Sequence, residues 1–109
     1  MTLTRSLVVA AAAAGFVLAC EPSRPTPIGP GSPLEPGQVL TADATVRFVD
    51  MEGGCWALDT PQGRYEPLGL PLAYKRAGLQ VAVVLRGPTG GATICQMAPL
   101  ALVDSIHTR

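Results

Sequence analysis

The chain has no excess of charge of either sign, and this limits the partners that it can bind. Its 109 residues include eight basic and eight acidic side chains, so the net charge is zero. Proteins that bind nucleic acids usually have a clear basic excess, because phosphate contacts dominate their affinity. We therefore expect no nucleic-acid partner.

Signatures of catalysis and of metal binding are also scarce. The single histidine, His107, stands close to the C-terminus, and there is no Cys-x-x-Cys pair. The glycine-rich stretches MEGG and PTGG do not have the spacing of a phosphate loop. Most of the acids are scattered over predicted strand edges and turns: Asp43, Asp50, Glu52, Asp59, Glu66 and Asp104. We expect no enzymatic activity, no metal and no cofactor.

No apolar run reaches the roughly 20 residues that a helix needs to span a bilayer. The longest, Leu7–Ala19, has 13 residues and follows the basic Arg5. A short apolar run after a positive charge is typical of an export signal. The alternative is a buried helix of a soluble protein, but the five alanines of Ala10–Ala14 offer no amphipathic face.

The apolar run ends in Val17-Leu18-Ala19-Cys20, which resembles the lipobox of bacterial lipoproteins. Leu18 departs from the family, where a smaller residue is typical. The resemblance implies that Cys20 is acylated, with chains such as palmitate, and that residues 1–19 are a cleaved signal peptide. It also implies a lipid anchor on the outer face of the cytoplasmic membrane or on the outer membrane, facing the periplasm or the exterior. The alternative is an ordinary secreted protein that is cleaved nearby.

Residues 20–37 are interpreted as the lipidated cysteine and a linker. Proline recurs every two or three residues at Pro22, Pro25, Pro27, Pro30, Pro33 and Pro36. Proline fixes φ and favours extended polyproline II, so we expect a semi-rigid spacer. A ligand for an aromatic groove is the alternative.

Residues 38–109 are predicted to form one small all-β domain. Apolar residues alternate with polar ones from Leu40 to Phe48, and again from Leu79 to Leu85. Further strands are predicted at Cys55–Thr60, from Arg64 to Leu68, and at Ala92–Met97. Leu100–Ile106 is either a sixth strand or a continuation of the fifth. Pro71–Ala77, with proline first and Gly78 after it, is predicted to be a short helix.

Three strands, a short helix and two or three more strands resemble the order of an OB-type barrel. We therefore predict a five- to six-stranded OB-like barrel, with half-open barrels and β-sandwiches as alternatives. The string VRFVDMEGGCWALDTPQGRYEPLGLP also resembles small exported bacterial domains to which no activity is assigned.

With Cys20 acylated, two cysteines remain, and both lie in predicted strands of an exported domain. Disulfides persist outside the cytoplasm, so we predict a Cys55–Cys95 bridge with Cα atoms about 5.5 Å apart. Two free thiols, a redox pair or a metal site are the alternatives.

Ligands of OB-like domains usually bind along the central strands and flanking loops, which here would engage Arg47, Trp56, Arg64 and Tyr65. The alternatives are that Trp56 is buried with Leu58 and that Tyr65 and Tyr74 cover the barrel end. The sequence thus predicts a lipid-anchored, non-catalytic module that binds an envelope protein or a small ligand. A structural or accessory subunit of an envelope complex is the second hypothesis.

Overall fold

A computed structural model describes residues 28–93 and 95–109. These residues form five strands: β1 (Val39–Val49), β2 (Cys55–Thr60), β3 (Gly63–Leu68), β4 (Gln80–Arg86) and β5 (Leu100–Thr108). One 3₁₀ turn, Leu72–Tyr74, joins β3 to β4. The domain is all-β, as the period-two alternation of the sequence predicts.

The five strands form one sheet that closes in a ring, in the order β1-β2-β3-β5-β4 and back to β1. The long β1 pairs antiparallel with β2 through its second half and with β4 through its first half. β3 and β5 pair in parallel, with Glu66 opposite Leu100, whereas the other four pairings are antiparallel. A ring of this kind leaves few free strand edges.

The interior of the ring is filled by alternate residues of the strands. Successive side chains of a strand point to opposite faces, so the inward set can be read from the register. The fully buried large side chains are Val46, Leu58, Tyr65, Val81, Val83 and Leu85. Ala44 and Ala101 complete the packing, and Trp56 and Tyr74 pack against this core while half-buried.

Residues 28–37, which the sequence assigns to the linker, lie against the ring. Pro30 forms a parallel bridge with Arg64, supported by hydrogen bonds from Gly31 N to Arg64 O and from Arg64 N to Gly29 O. Further on, Gly37 N donates to Gly87 O. The segment therefore occupies the part of the β3 edge that precedes its pairing with β5.

The predicted strand at Ala92–Met97 is not formed. The described residues of this stretch belong to the connection between β4 and β5, and Leu100–Thr108 is the fifth strand rather than a sixth. Gln96 has φ of +45°, a left-handed conformation that interrupts extended backbone. Thr93 and Met97, on either side of Gln96, are held by hydrogen bonds to the side chain of Glu66 instead of by a strand ladder.

The predicted helix at Pro71–Ala77 is reduced to the 3₁₀ turn Leu72–Tyr74. The two hydrogen bonds from Tyr74 N to Pro71 O and from Lys75 N to Leu72 O span three residues each. The chain then has to rejoin β1, where Gly78 N donates to Val46 O. This return leaves no length for a second helical turn.

Candidate functional site

A charged cluster lies on the outer face of β1, β2 and β3. Asp59 of β2 accepts hydrogen bonds from Arg64 of β3, with Nε–Oδ1 and Nη2–Oδ2 distances of 2.6 and 3.1 Å. Arg47 of β1 approaches the same carboxylate, with 3.3 Å between Nε and Oδ2. One carboxylate is thus shared by two guanidinium groups, and the cluster has one net positive charge.

The exposures of the three side chains differ in a way that matters for binding. The side chain of Asp59 is 6% exposed, whereas that of Arg47 is 50% exposed. The hydrogen bond that Arg64 donates to Asp59 raises the pKa of Arg64, against the opposing effect of partial burial. Arg64 therefore stays charged, and the half-exposed Arg47 presents N–H donors to solvent beside the buried carboxylate of Asp59.

Sequence reasoning selected Arg47 and Arg64 but missed Asp59, their common partner. Alternation alone places all three on outward positions of their strands. Register was the missing signal, because Asp59 lies opposite Thr45 on one side and opposite Arg64 on the other. A prediction of these two pairings would have brought the three charges together.

The side chain of Trp56 packs on the core side of the sheet, whereas this cluster lies on the outer face. Trp56 follows Cys55 at the start of β2 and is half-buried against the core. Its ring meets that of Phe48 edge-on, with centroids 5.2 Å apart, and Phe48 itself is 49% exposed. The aromatic pair therefore marks the end of the ring at which β1 turns into β2.

Tyr65 lies inside the ring and not on the outer face. Its side chain is 2% exposed, and its hydroxyl donates to Ser32 O at 2.8 Å. Gly31 packs so closely against the ring of Tyr65 that a Cβ there would lie 2.5 Å from it. The structure thus separates Tyr65 from Arg47 and Arg64, and joins it to the segment before β1.

The predicted disulfide between Cys55 and Cys95 is confirmed, with Cα atoms 6.3 Å apart. Cys55 begins β2 as expected, but Cys95 lies in the β4–β5 loop and not in a strand. The bridge holds this loop against the outer face of the sheet. Accordingly Cys55 is only 3% exposed, although its strand position points outward.

Glu66 of β3 provides a second attachment for the same loop. Its carboxylate accepts hydrogen bonds from the hydroxyl of Thr93 and, at 3.4 Å, from Met97 N. Glu66 is nearly completely buried, as is Ala57 in the middle of the outer face. Part of this face is therefore covered by the protein's own loop, and the arginine cluster lies beside the covered part.

A cleft of about 320 Å³ opens beside the disulfide. Both cysteines line it together with Trp56, Glu66 and Lys75. The cleft combines an aromatic wall, a carboxylate and an ammonium group. This arrangement was not predicted, because it depends on where the β4–β5 loop crosses the sheet.

Within residues 28–93 and 95–109, no group of three or more histidine, cysteine, aspartate or glutamate side chains is placed to hold a metal ion. Of the helices in the described part of the chain, none has the length and apolar character to cross a membrane. Cys20 and the proposed signal peptide lie outside the described residues. Comparison of the chain with protein-family models, curated proteins and solved structures found no match.

Proposed function

We propose that the protein is a lipid-anchored, non-catalytic interaction module of the bacterial cell envelope, built on an OB-like barrel. The outer face around Arg47, Asp59 and Arg64 is its contact surface for an envelope protein or a small ligand. The observation that carries this proposal is the half-exposed Arg47, held by a buried carboxylate on the face through which OB domains usually bind.

The strand pairings support the OB-like assignment. An OB domain is a five-stranded, partly open Greek-key barrel that binds through strands 2 and 3 and the loops beside them. In this chain β1 pairs with both β2 and β4, and β3 pairs in parallel with β5. The connection from β3 to β4 contains the 3₁₀ turn at the place where the sequence resemblance puts a helix.

The hydrogen bonds that the carboxylates already accept support a binding role over a catalytic one. A general base needs a free lone pair directed at its substrate. Both oxygens of Asp59 already accept hydrogen bonds from arginine, and Glu66 is occupied by Thr93 and Met97. His107 is exposed near the end of β5. The two carboxylates thus hold neighbouring strands and the β4–β5 loop together.

The fastening of residues 28–37 supports action close to the membrane. If Cys20 carries the lipid, Ile28, the first described residue, is the eighth residue after it. Fully extended chain spans at most about 3.6 Å per residue, so the lipid lies within roughly 30 Å of Ile28. The partner would therefore be met near the bilayer surface.

The lipid anchor is tested by replacing Cys20 with serine in the full-length chain. We expect the variant to lose incorporation of an alkyne-labelled palmitate and to leave the membrane fraction or remain uncleaved. Cys95→Ser is the matched control, because it also replaces a cysteine with serine but leaves Cys20 in place. Unchanged mature mass and membrane partitioning of the Cys20 variant would refute the lipoprotein hypothesis.

A structural or accessory subunit is the second candidate, and exposed apolar side chains at one end of the ring favour it. Leu72 is 82% exposed, and Phe48 and Met51 are also exposed. The β1–β2 turn and the β3–β4 connection lie at the same end, because β1 and β3 both run towards it. An apolar end of this kind suits assembly more than small-ligand binding.

Photocrosslinking in intact cells separates the two candidates. A photoreactive residue is placed at Thr45, beside the arginine cluster, or at Leu72, with exposed His107 as the control position. Crosslinks from position 45 that disappear with Arg47→Gln support the proposed contact surface. Crosslinks from position 72 alone support the accessory-subunit candidate and contradict the proposal.

A further inference from the structure

The Cys55–Cys95 bridge links the ring to a loop that lies outside its hydrogen-bonded ladders. It joins the first residue of β2 to the β4–β5 loop, and the described residues of that loop contribute to none of the five strand pairings. Cys55 pairs with Val49 of β1 through its backbone, not through its sulfur, and the remaining pairings of the ring are made by other residues. Opening the sulfur–sulfur bond therefore breaks no backbone hydrogen bond of the ring.

The bridge is also reachable from solvent. Both cysteines line the cleft that contains Trp56 and Lys75. Cys55 is buried, but Cys95 is half-buried and so more open to an approaching group. Thiol–disulfide exchange depends on access to one sulfur, on the attacking thiolate and on the leaving thiolate.

We propose that the Cys55–Cys95 bridge is a thiol–disulfide exchange site, reduced in the folded protein by a dithiol partner protein. A thiolate of the partner attacks Sγ of Cys95, forms a mixed disulfide with it and releases Cys55 as a thiolate. The second thiolate of the partner then attacks the partner sulfur of the mixed disulfide and releases Cys95. Two electrons pass to the bridge, each cysteine takes up one proton, and the partner leaves as a disulfide.

The surroundings of the two sulfurs fit this direction of attack. Sγ of Cys55 lies 3.3 Å from Met51 O, so the thiol formed there has a hydrogen-bond acceptor already in place. Lys75 lines the cleft and attracts an incoming thiolate by its charge. Cys95 is the more exposed of the two cysteines and is therefore the attacked residue, so Cys55 is the leaving group, and its thiolate takes up a proton after release.

Reduction of the bridge would change how firmly the β4–β5 loop covers the outer face of the sheet. With the bridge open, Glu66 still bonds Thr93 and Met97, but the covalent connection between the loop and β2 is gone. The loop is then held by hydrogen bonds alone, next to the arginine cluster. The redox state of the bridge would thereby govern how much of this face a partner reaches. This inference does not depend on the lipid anchor.

The first test treats the full-length protein in mild detergent with dithiothreitol, a small dithiol. Trp56 is the sole tryptophan and adjoins the bridge, so its emission should rise when the quenching disulfide opens. We expect the bridge to be reduced without denaturant, at a rate that does not depend on urea. The far-ultraviolet circular dichroism spectrum should stay unchanged. Reduction that occurs only in step with global unfolding, as urea is raised, would overturn the proposal.

The second test examines the route and the direction of attack. Lys75→Gln should slow reduction several-fold at low salt, whereas Arg76→Gln, which changes an exposed cation outside the cleft lining, should not. With N-ethylmaleimide, Cys95 in the Cys55→Ser variant should react at least tenfold faster than Cys55 in the Cys95→Ser variant. Peptide mass spectrometry assigns each label, so Cys20 does not interfere. Equal rates in either comparison would overturn attack on Cys95 through the cleft.

Discussion

Two segments outside the strands are fastened to the same ring by different chemistry. Residues 28–37 are held by backbone hydrogen bonds to β3 and Gly87 and by close packing of Gly31 on Tyr65. The β4–β5 loop is held by side chains, through the Cys55–Cys95 bridge and through Glu66. The first attachment is insensitive to redox conditions, and the second is not. Different perturbations should therefore release each segment.

The largest effect should come from removing the side-chain attachment. Cys95→Ser, or reduction, is expected to lower the free energy of unfolding by about 2 to 4 kcal/mol, because a loop of 40 residues is no longer closed in the unfolded chain. Urea unfolding followed by circular dichroism measures the change. The variant should stay folded and membrane-bound, and loss of the β-sheet spectrum at zero urea would contradict the independence of the ring from the bridge.

The next largest effect should come from crowding the backbone attachment. Gly31→Val places a Cβ 2.5 Å from the ring of Tyr65, so we expect a loss of about 2 to 3 kcal/mol from overpacking. Gly29→Val is the matched control, because a Cβ at Gly29 meets nothing within 4 Å. Unfolding in urea compares the two, and equal stabilities would show that residues 28–37 do not pack on β3 as described.

A smaller loss of stability is expected from removing a single hydrogen bond of the same attachment. Tyr65→Phe removes the bond to Ser32 O but keeps the buried ring, and should cost about 1 kcal/mol. Tyr74→Phe, in a half-buried side chain at the β3–β4 connection, is the control. Protease cleavage near residue 32 should become faster only in the Tyr65 variant. If both variants respond equally, the hydroxyl of Tyr65 does not contribute to the attachment of residues 28–37.

The smallest effect, no detectable binding, is expected when nucleic acid is added. The chain has no net charge, and each arginine of the outer cluster contacts Asp59. We expect no change in fluorescence anisotropy when labelled single-stranded DNA is titrated at physiological salt, with the bridge closed or reduced. Micromolar, salt-sensitive binding of the reduced form alone would show that the covered part of the face is a nucleic-acid surface.

Local sequence patterns determined most of the strands. Alternation located β1 and β4 to within a residue or two, because a strand with one buried face needs apolar residues at every second position. The turn-forming stretches DMEGG and PQG located the starts of β2 and β3 to within a residue. The cysteine count, with one cysteine assigned to lipid, indicated the bridge. These inferences succeeded because they depend on neighbours in the chain or on counting.

Only the tertiary structure decided the parts that depend on register and on long-range contact. Ala92–Met97 reads as a strand, but its described residues bond to Glu66 and to Cys55 instead of forming a ladder. The proline-rich segment is predicted to be a spacer, yet Pro30 within it pairs with Arg64 at the free edge of β3. Asp59 became the centre of the charged cluster only through its pairings with β1 and β3. Sequence patterns report which face is buried, but the partner across a ladder is set by the closed ring.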